Sequence, residues 1–197
     1  MSTLSDAEID AIVETIVQRA LHGKESPRVD PPRQVAQEPS KSSASKIVAL
    51  GADHGGYKMK QMLVTHVEKA GYKVIDCGTN STESVDYPDF ALAVAEKVSS
   101  GEVWRGILID GAGIGSCMAA NKVPGVRAAM CYDHATAVNS REHNDANVLT
   151  LGAGLIGDAL AQQIVDTWLN TEFGGGRHTR RVDKIMAIEK KNLKTGS

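Results

Sequence analysis

The sequence predicts an α/β fold of the doubly wound, Rossmann-like class, with a five-stranded parallel sheet in three layers and helices on both faces. Two observations in residues 46–197 carry this prediction. Short apolar runs alternate with segments of helical periodicity, and such runs are typical of strands buried on both faces of a parallel sheet. Polar residues gather around the ends of these runs, and ligands of this fold class bind beyond the carboxyl ends of the strands.

The predicted elements follow one another in a regular order. The first three strands are KIVALGADH, YKVIDCG and WRGILID, and the helices after the first two are MKQMLVTHVEKAG and YPDFALAVAEKVSSG. A loop with three glycines and the start of a small-residue helix follow the third strand. The fourth and fifth strands are VRAAMC and ANVLTLG, with the helix DHATAVNSREHN between them. The last two helices are DALAQQIVDTWLNT and a segment from about Thr179 to Lys191.

Residues 1–45 predict two further parts. Apolar residues from Ile9 to Leu21 recur at helical spacing, so residues 1–22 are expected to form a separate amphipathic helix. Residues 23–45 contain four prolines and five serines and almost nothing apolar. Such a segment cannot bury a core, and we expect a disordered, flexible linker. The globular domain is then residues 46–197.

The composition excludes several functional classes. The chain has 197 residues, a net charge of −2 and no apolar run near the length of a membrane span, so neither nucleic acid nor a membrane is an expected partner. The N-terminus lacks the basic and apolar regions of a secretory signal. The three cysteines are widely spaced and form no metal-binding pattern, and we expect a cytoplasmic, reducing location.

Candidate site residues lie just after the predicted strands. Asp53 and His54 follow the first strand, Tyr87 lies in the loop after the second, and Asp110 ends the third. Asp133 and His134 follow the fourth strand. In contrast, residues 143–145 precede the fifth strand, which places them at its opposite end. They can reach a common site only across an interface or from the end of a helix.

The glycine loop after the third strand is open to two interpretations. Backbone N–H groups in such a loop can bind a phosphate or a transient oxyanion, or the glycines can simply form a tight strand-to-helix turn. The spacing of Gly111, Gly113 and Gly115 is a poor match to a dinucleotide fingerprint. Asp110 is equally ambiguous, since it can cap or brace the loop or act as a general base beside an anion site.

Several stretches together resemble one family. GADHGGYKMK, DYPDFA, GAGIGSCMAANKVPGVRAAMC, REHNDANVLTLG and GGGRHTRRV, in order from about Lys46 to Glu189, are similar to type B ribose-5-phosphate isomerases. Galactose-6-phosphate and allose-6-phosphate isomerases share that fold. The five ordered motifs are specific for the family and less specific for the substrate.

The resemblance implies an aldose–ketose isomerase that needs neither a metal nor an organic cofactor. A histidine opens the sugar ring, a base moves a proton between C1 and C2 through an enediolate, and glycine-loop N–H groups stabilise the charge. It also implies a homodimer with sites built from two chains, leaving open whether dimers pair into tetramers. By position His143 matches the ring-opening histidine. The expected substrate-binding residues are Asp53, His54, Tyr87, Gly111, Gly113, Gly115, Ser116, Asn144, Arg177 and Arg181.

Three positions depart from the family pattern. Asp110 stands where many members have a cysteine base, Ala112 where threonine or serine is usual, and Gly154 where a phosphate-binding arginine is usual. A second branch uses a glutamate just after the loop, and Ser116 occupies that place. We expect Asp110 to act as the base, with Cys117 as the rival. The alternatives are a changed substrate or reaction, or a non-catalytic binding protein.

The N-terminal segment has a resemblance of its own. An amphipathic helix joined to an enzyme by a linker rich in proline and serine is similar to the encapsulation peptides of bacterial microcompartment cargo. The resemblance implies that residues 1–22 bind a microcompartment shell protein. The alternative is a helix used for oligomerisation or packing, because isolated helices of this length need a partner surface.

Overall fold

A computed structural model describes residues 13–14 and 46–193 of the chain. Five strands form one parallel sheet: β1 (Ile47–Ala52), β2 (Lys73–Asp76), β3 (Arg105–Asp110), β4 (Ala128–Met130) and β5 (Val148–Gly152). The strand order is β2-β1-β3-β5-β4. The predicted doubly wound fold is confirmed. Val13 and Glu14 are helical, and the rest of the predicted N-terminal helix and linker lies outside the described residues.

Six helices connect and follow the strands. They are α1 (Tyr57–Lys69), α2 (Tyr87–Ser99), α3 (Ile114–Ala120), α4 (His134–Glu142), α5 (Asp158–Asn170) and α6 (Thr179–Asn192), with a 3₁₀ turn at Gly176–His178 before α6. Each predicted helix of the globular part is present. Among the described residues, no helix is long and apolar enough to cross a membrane.

The sheet separates two apolar cores. One contains the buried sides of α1, α4 and α5, including Leu63 and the fully buried Trp168. The other contains the buried sides of α2 and α3. Helix α2 packs very close to the sheet, since a Cβ on Gly106 of β3 would lie 2.6 Å from Val94. This confirms the expected three layers.

The strand order places a crevice between β1 and β3. After β1 the chain forms β2 on one side of β1. After β3 it forms β4 and β5, which both lie on the other side of β3. Ligands of doubly wound folds bind where the order reverses in this way, beyond the carboxyl ends of the strands. Leu50 pairs with Ile107 and Ala52 with Ile109, so Asp53 and Asp110 leave the sheet side by side.

Candidate functional site

The loop after β1 contributes Asp53 and His54. Asp53 is only 8 % exposed, and its Oδ1 accepts a hydrogen bond of 3.1 Å from the Gly56 N–H. His54 is exposed and its Nδ1 lies 3.2 Å from both the backbone N and O of Val85. The contact joins the loops that follow β1 and β2.

The loops after β1 and β3 touch. A Cβ on Gly55 would lie 3.3 Å from Asp53 Oδ1 and 3.4 Å from the Gly111 nitrogen. The Asp53 carboxylate and the first N–H group of the glycine loop are therefore close neighbours across the crevice.

Asp110 is bound by the glycine loop itself. Its Oδ1 accepts hydrogen bonds from the N–H groups of Ala112, at 2.8 Å, and of Gly113. Its Oδ2 accepts from the Ser116 N–H at 2.9 Å, and the residue is 4 % exposed. The residue expected to be the base thus holds three of the backbone donors that were expected to bind the substrate's negative charge.

These contacts set the ionisation of Asp110. Burial raises the pKa of the carboxyl, and hydrogen bonds from Ser116, Gly113 and Ala112 lower it by more. The net pKa lies below the ordinary value, because donors aimed at a carboxylate favour its charged form. At neutral pH Asp110 is therefore an anion stabilised by the loop.

The loop is fixed from the side of β5. Gly113 has a φ of 78°, a conformation that favours glycine, and its carbonyl accepts a hydrogen bond of 2.8 Å from the Thr150 hydroxyl. The Gly111 carbonyl accepts from the Gly154 N–H at 2.9 Å. A Cβ on Gly154 would lie 2.9 Å from that same carbonyl oxygen, so a residue larger than glycine would push against the loop.

Tyr87 covers the other side of the loop. A Cβ on Gly115 would lie 2.6 Å from Cζ of the Tyr87 ring, so the glycine allows the ring to lie against the first turn of α3. The tyrosine is partly exposed. The structure thus brings together a first set of predicted residues, here called the strand-end cluster: Asp53, His54, Tyr87, Asp110 and residues 111–116.

The other predicted residues form a second set around the end of α4. The His143 and His178 rings are stacked, with centroids 4.2 Å apart and planes 6° from parallel. Asn139 Nδ2 lies 2.8 Å from His143 Nδ1, and Asn144 Nδ2 donates to the Asn139 backbone and side-chain oxygens at 3.2 Å. This helix-end cluster comprises Asn139, His143, Asn144, Arg177 and His178.

His178 is the unusual member of the helix-end cluster. It is 9 % exposed, and its Nδ1 is the one buried side-chain polar atom of the described residues that lacks a hydrogen-bond partner. Burial lowers the pKa of His178, and the charges of His143, Arg177 and Arg181 lower it further. The imidazole is therefore neutral at pH 7, with one nitrogen still unpaired.

The two candidate phosphate arginines lie in different elements. Arg177 is in the 3₁₀ turn, where its Nε lies 3.4 Å from His178 Nε2, and Arg181 is in the first turn of α6. Both are exposed. Residues four positions apart in one regular helix would lie on the same face. The change from 3₁₀ to α geometry between them gives a different spacing.

The buried Arg141 holds the end of α4 in place. Arg141, 4 % exposed, donates to Asp145 Oδ1 at 2.8 Å, to the Ala146 carbonyl and to the Thr171 carbonyl at 3.3 Å. Asp145 has a φ of 48°. The Gly174 N–H donates to the Glu142 carbonyl at 2.9 Å, which joins the segment before His178 to the end of α4. Neither Arg141 nor Asn139 was predicted from the sequence. Asn139 lies four residues before His143, a spacing that places two side chains on the same face of a helix.

The two clusters do not meet within one chain. Asp110 pairs with Gly152 at the end of β5, whereas His143 and Asn144 precede the start of that strand. The five residues of β5, at about 3.3 Å each, separate these levels by about 13 Å.

Other candidates have structural roles. Asp133 caps α4 in a capping box with Thr136. Burial raises the pKa of the Cys117 thiol above its ordinary value despite hydrogen bonds that lower it, which disfavours Cys117 as a base at neutral pH.

Among residues 46–193 and the two helical residues before them, no group of three or more metal-ligating side chains is present.

Comparison with known proteins matches residues 48–185 to the family model described as Ribose/Galactose Isomerase. The chain belongs to this family. The isomerase is 48% identical to ribose-5-phosphate isomerase B of Escherichia coli over 146 residues, which are 74% of this chain and 98% of that protein. A solved ribose-5-phosphate isomerase B from Clostridium thermocellum is 58% identical, with a TM-score of 0.73 over 74% of this chain and 98% of that one.

A further solved relative carries a ligand. The ribose-5-phosphate isomerase B of Mycoplasma genitalium, solved with bound ribulose 5-phosphate, is 43% identical, with a TM-score of 0.73 over 75% of this isomerase and 99% of that chain. Since each relative is covered almost completely, the matched region of this isomerase spans the whole fold of those proteins. The first 45 residues precede the match.

Proposed function

We propose that this chain is an aldose–ketose isomerase that interconverts ribose 5-phosphate and ribulose 5-phosphate, or a closely related sugar phosphate pair. The observation that carries the proposal is the strand-end cluster, in which two carboxylates and a loop of backbone N–H groups converge at the carboxyl ends of β1 and β3. Proton transfer next to a carbonyl needs a base beside donors that stabilise an oxyanion.

The loop retains donors for that oxyanion. Asp110 accepts from Ala112, Gly113 and Ser116, and among the described residues no acceptor is found for the N–H groups of Gly111, Ile114 and Gly115. Two of these groups lie in the first turn of α3, where N–H groups have no partner inside the helix. We infer that these remaining groups stabilise the enediolate.

We propose that the active unit is a homodimer with shared sites, in which His143 of one protomer opens the sugar ring at the strand-end cluster of the other. The separation of the two clusters along β5 supports this arrangement. Apolar side chains on α3 beside the glycine loop also support it, because Ile114 is 49 % exposed and Met118 is 63 % exposed. A groove of about 980 Å³ beside the edge strand β4 adds a second surface.

Phosphate binding is assigned to Arg177 and Arg181, two exposed cations beside His178. Guanidinium groups bind phosphate in a bidentate manner. Gly154 removes the third arginine expected from the family pattern, which should weaken substrate binding rather than abolish it, because one charged hydrogen bond contributes about 1.5–3 kcal/mol.

The first experiment is an isomerisation assay of the full chain with ribose 5-phosphate, allose 6-phosphate and galactose 6-phosphate, with His143→Ala as the matched variant. We expect turnover of ribose 5-phosphate that falls in the variant by about 10²–10⁴-fold. Absence of turnover with every sugar phosphate would contradict the proposed function.

The second experiment tests the shared sites by mixing two inactive variants. In a dimer of one Asp53→Asn and one His143→Ala chain, one site carries both changes and the other carries neither. Statistical reassociation of a two-fold dimer should therefore restore about a quarter of the wild-type activity. Sites built within one chain would give no recovery on mixing.

A second function is favoured by one observation. Since Asp110 takes up three loop donors, the same fold could serve a different sugar phosphate or act as a binding protein without turnover. Titration with ribose 5-phosphate by calorimetry separates these cases. Binding without turnover by the wild-type chain would favour the non-catalytic role.

We also propose that residues 1–22 direct the enzyme from the cytoplasm into a bacterial microcompartment by binding a shell protein. The amphipathic pattern and the following segment rich in proline and serine support this proposal. Fusing residues 1–22 to a fluorescent reporter tests it, with a fusion carrying Ile12→Asp and Ile16→Asp as the control. A reporter that stays diffuse beside assembled shells would contradict the role.

A further inference from the structure

The two carboxylates of the strand-end cluster differ in how fully their oxygens are engaged. Both oxygens of Asp110 accept hydrogen bonds from the backbone, and the three donors all belong to the loop that follows it. Asp53 accepts one hydrogen bond, on Oδ1 from Gly56. Its Oδ2 makes no hydrogen bond among the described residues, and it is not one of the buried polar atoms that lack a partner.

Asp53 lies close to the glycine loop. Its Oδ1 and the Gly111 nitrogen lie 3.3 Å and 3.4 Å from the point where a Cβ on Gly55 would sit, and Gly111 is one of the loop positions whose N–H group Asp110 leaves free. A substrate carbon bound between the loops after β1 and β3 would therefore lie between a carboxylate oxygen that can accept a proton and an N–H group that can stabilise an oxyanion.

We propose that Asp53 is the base that moves the proton, and that Asp110 is a positioning residue that holds the glycine loop in shape. The inference rests on the isomerase function proposed above. It assigns the two carboxylates different tasks because only one of them has an oxygen free to take up a proton.

The step balances without any further reactant. Asp53 takes the proton from C2 of the open-chain aldose, the C–H electron pair forms the C1–C2 double bond, and the carbonyl electrons move onto O1. The hydroxyl proton of O2 passes to O1. Asp53 then returns its proton to C1 while the C2–O2 double bond forms, and the product is the ketose.

The low pKa of Asp110 supports this division. Burial raises it, and the hydrogen bonds from Ser116, Gly113 and Ala112 lower it by more, so protonation of Asp110 would weaken the contacts that hold the loop. A base gains strength as the pKa of its conjugate acid rises toward the working pH. A carboxylate held by several backbone donors is a poor proton acceptor and a good anchor for a loop.

The test compares Asp53→Asn with Asp110→Asn in the full-length dimer. Turnover of ribose 5-phosphate is followed by NMR in D₂O, with deuterium incorporation into substrate and product as the readout of proton transfer. We expect Asp53→Asn to lose proton transfer by about 10²–10⁴-fold while ribose 5-phosphate still binds. The asparagine retains an oxygen for the Gly56 N–H, so the loop after β1 is preserved.

For Asp110→Asn we expect a smaller loss than for Asp53→Asn, with a raised KM and with changed amide resonances and faster hydrogen exchange at Ala112, Gly113 and Ser116. Asp110→Glu, which retains both acceptor oxygens, should recover part of the protection and serves as the second variant if the first does not fold.

The opposite order of effects would overturn the inference. If Asp53→Asn keeps proton transfer within a few fold of the wild type, Asp53 is not the base. If Asp110→Asn abolishes deuterium incorporation while its loop amides are unchanged, Asp110 is the base. A wild-type chain that turns over no sugar phosphate would instead refute the proposed function, and the two failures are thus distinguishable.

Discussion

The strand-end and helix-end clusters differ in how completely their polar groups are satisfied. In the strand-end cluster a buried carboxylate, Asp110, is matched by three N–H groups of its own loop. In the helix-end cluster a buried imidazole, His178, keeps an unpaired nitrogen. Buried polar groups without partners are rare in native proteins, and the unpaired nitrogen of His178 is consistent with the shared sites proposed above.

This difference explains why one half of the site can be interpreted from the monomer and the other half cannot. The strand-end cluster is complete as a folded unit, and its chemistry follows from its own contacts. The helix-end cluster supplies a histidine pair and Arg177 at the far end of β5, which fits the proposed half-site that a partner chain completes.

The largest expected effect comes from Gly113→Ala, which would break the strand-end cluster. Gly113 has a φ of 78°, and an added Cβ would lie 2.9 Å from the backbone carbon of Leu151. We expect a loss of about 3 kcal/mol in unfolding free energy and loss of activity, measured by denaturant unfolding and by the isomerase assay. Gly111→Ala is the control for the unfolding measurement alone, because a Cβ there would meet nothing within 4 Å.

A smaller loss is expected when the support of the helix-end cluster is removed. Arg141→Met deletes the hydrogen bonds to Asp145, Ala146 and Thr171 but retains an apolar side chain. We expect a loss of about 1–2 kcal/mol in unfolding free energy and a lower kcat with ribose 5-phosphate, as the loop of His143 loosens. Unchanged kcat in a destabilised variant would show that Arg141 supports the fold alone.

A weaker effect is expected from the ionisation of His178. Its pKa is lowered in the folded chain by burial and by His143, Arg177 and Arg181, with Glu142 acting in the opposite sense. The unfolded chain therefore takes up a proton below about pH 6.5 while folded His178 is still neutral. The unfolding free energy should fall as pH drops from about 6.5 toward the lowered pKa.

Substituting glutamine for His178 should remove this part of the pH dependence, measured by urea unfolding between about pH 5 and 8. His66→Gln is the matched control, because His66 lies on α1 with Nε2 2.7 Å from Asp166, away from the cluster. A His178→Gln variant with the wild-type slope would contradict the assigned origin of the effect.

The smallest effect on the fold is expected from Met118→Ser on α3. Met118 is 63 % exposed in the single chain, so its replacement should change the unfolding free energy of a monomer by less than about 0.5 kcal/mol. If α3 forms part of the dimer contact, the variant should dissociate at higher protein concentration than the wild type in analytical ultracentrifugation. Unchanged dimerisation would exclude this face from the interface.

The sequence predicted most of the fold because its signals are local. Each buried strand has a continuous apolar run, and each helix has its own periodicity. The observed strands are shorter than the predicted runs, as in β4, where VRAAMC yields only Ala128–Met130. The neighbouring Arg127 and Cys131 still contact β5, since the Val148 N–H donates to the Arg127 carbonyl and the Cys131 N–H donates to the Thr150 carbonyl.

The places of the candidate residues in the fold were predictable from the sequence, but their contacts were not. Asp110 lies at the end of β3 as expected, yet its hydrogen bonds depend on how residues 112–116 fold back, which no local pattern specifies. The stacking of His143 on His178 joins residues 35 positions apart in the sequence, and it depends on the path of the chain after α5. Long-range contacts of this kind are set by packing rather than by spacing.

The contact between Gly154 and the glycine loop has a consequence for how this chain can change. A Cβ at position 154 would lie 2.9 Å from the carbonyl oxygen of Gly111, and the loop in turn is shaped around Asp110. Position 154 therefore contacts the same loop that binds Asp110, and an arginine restored there should press on the Gly111 carbonyl as well as supply a cation.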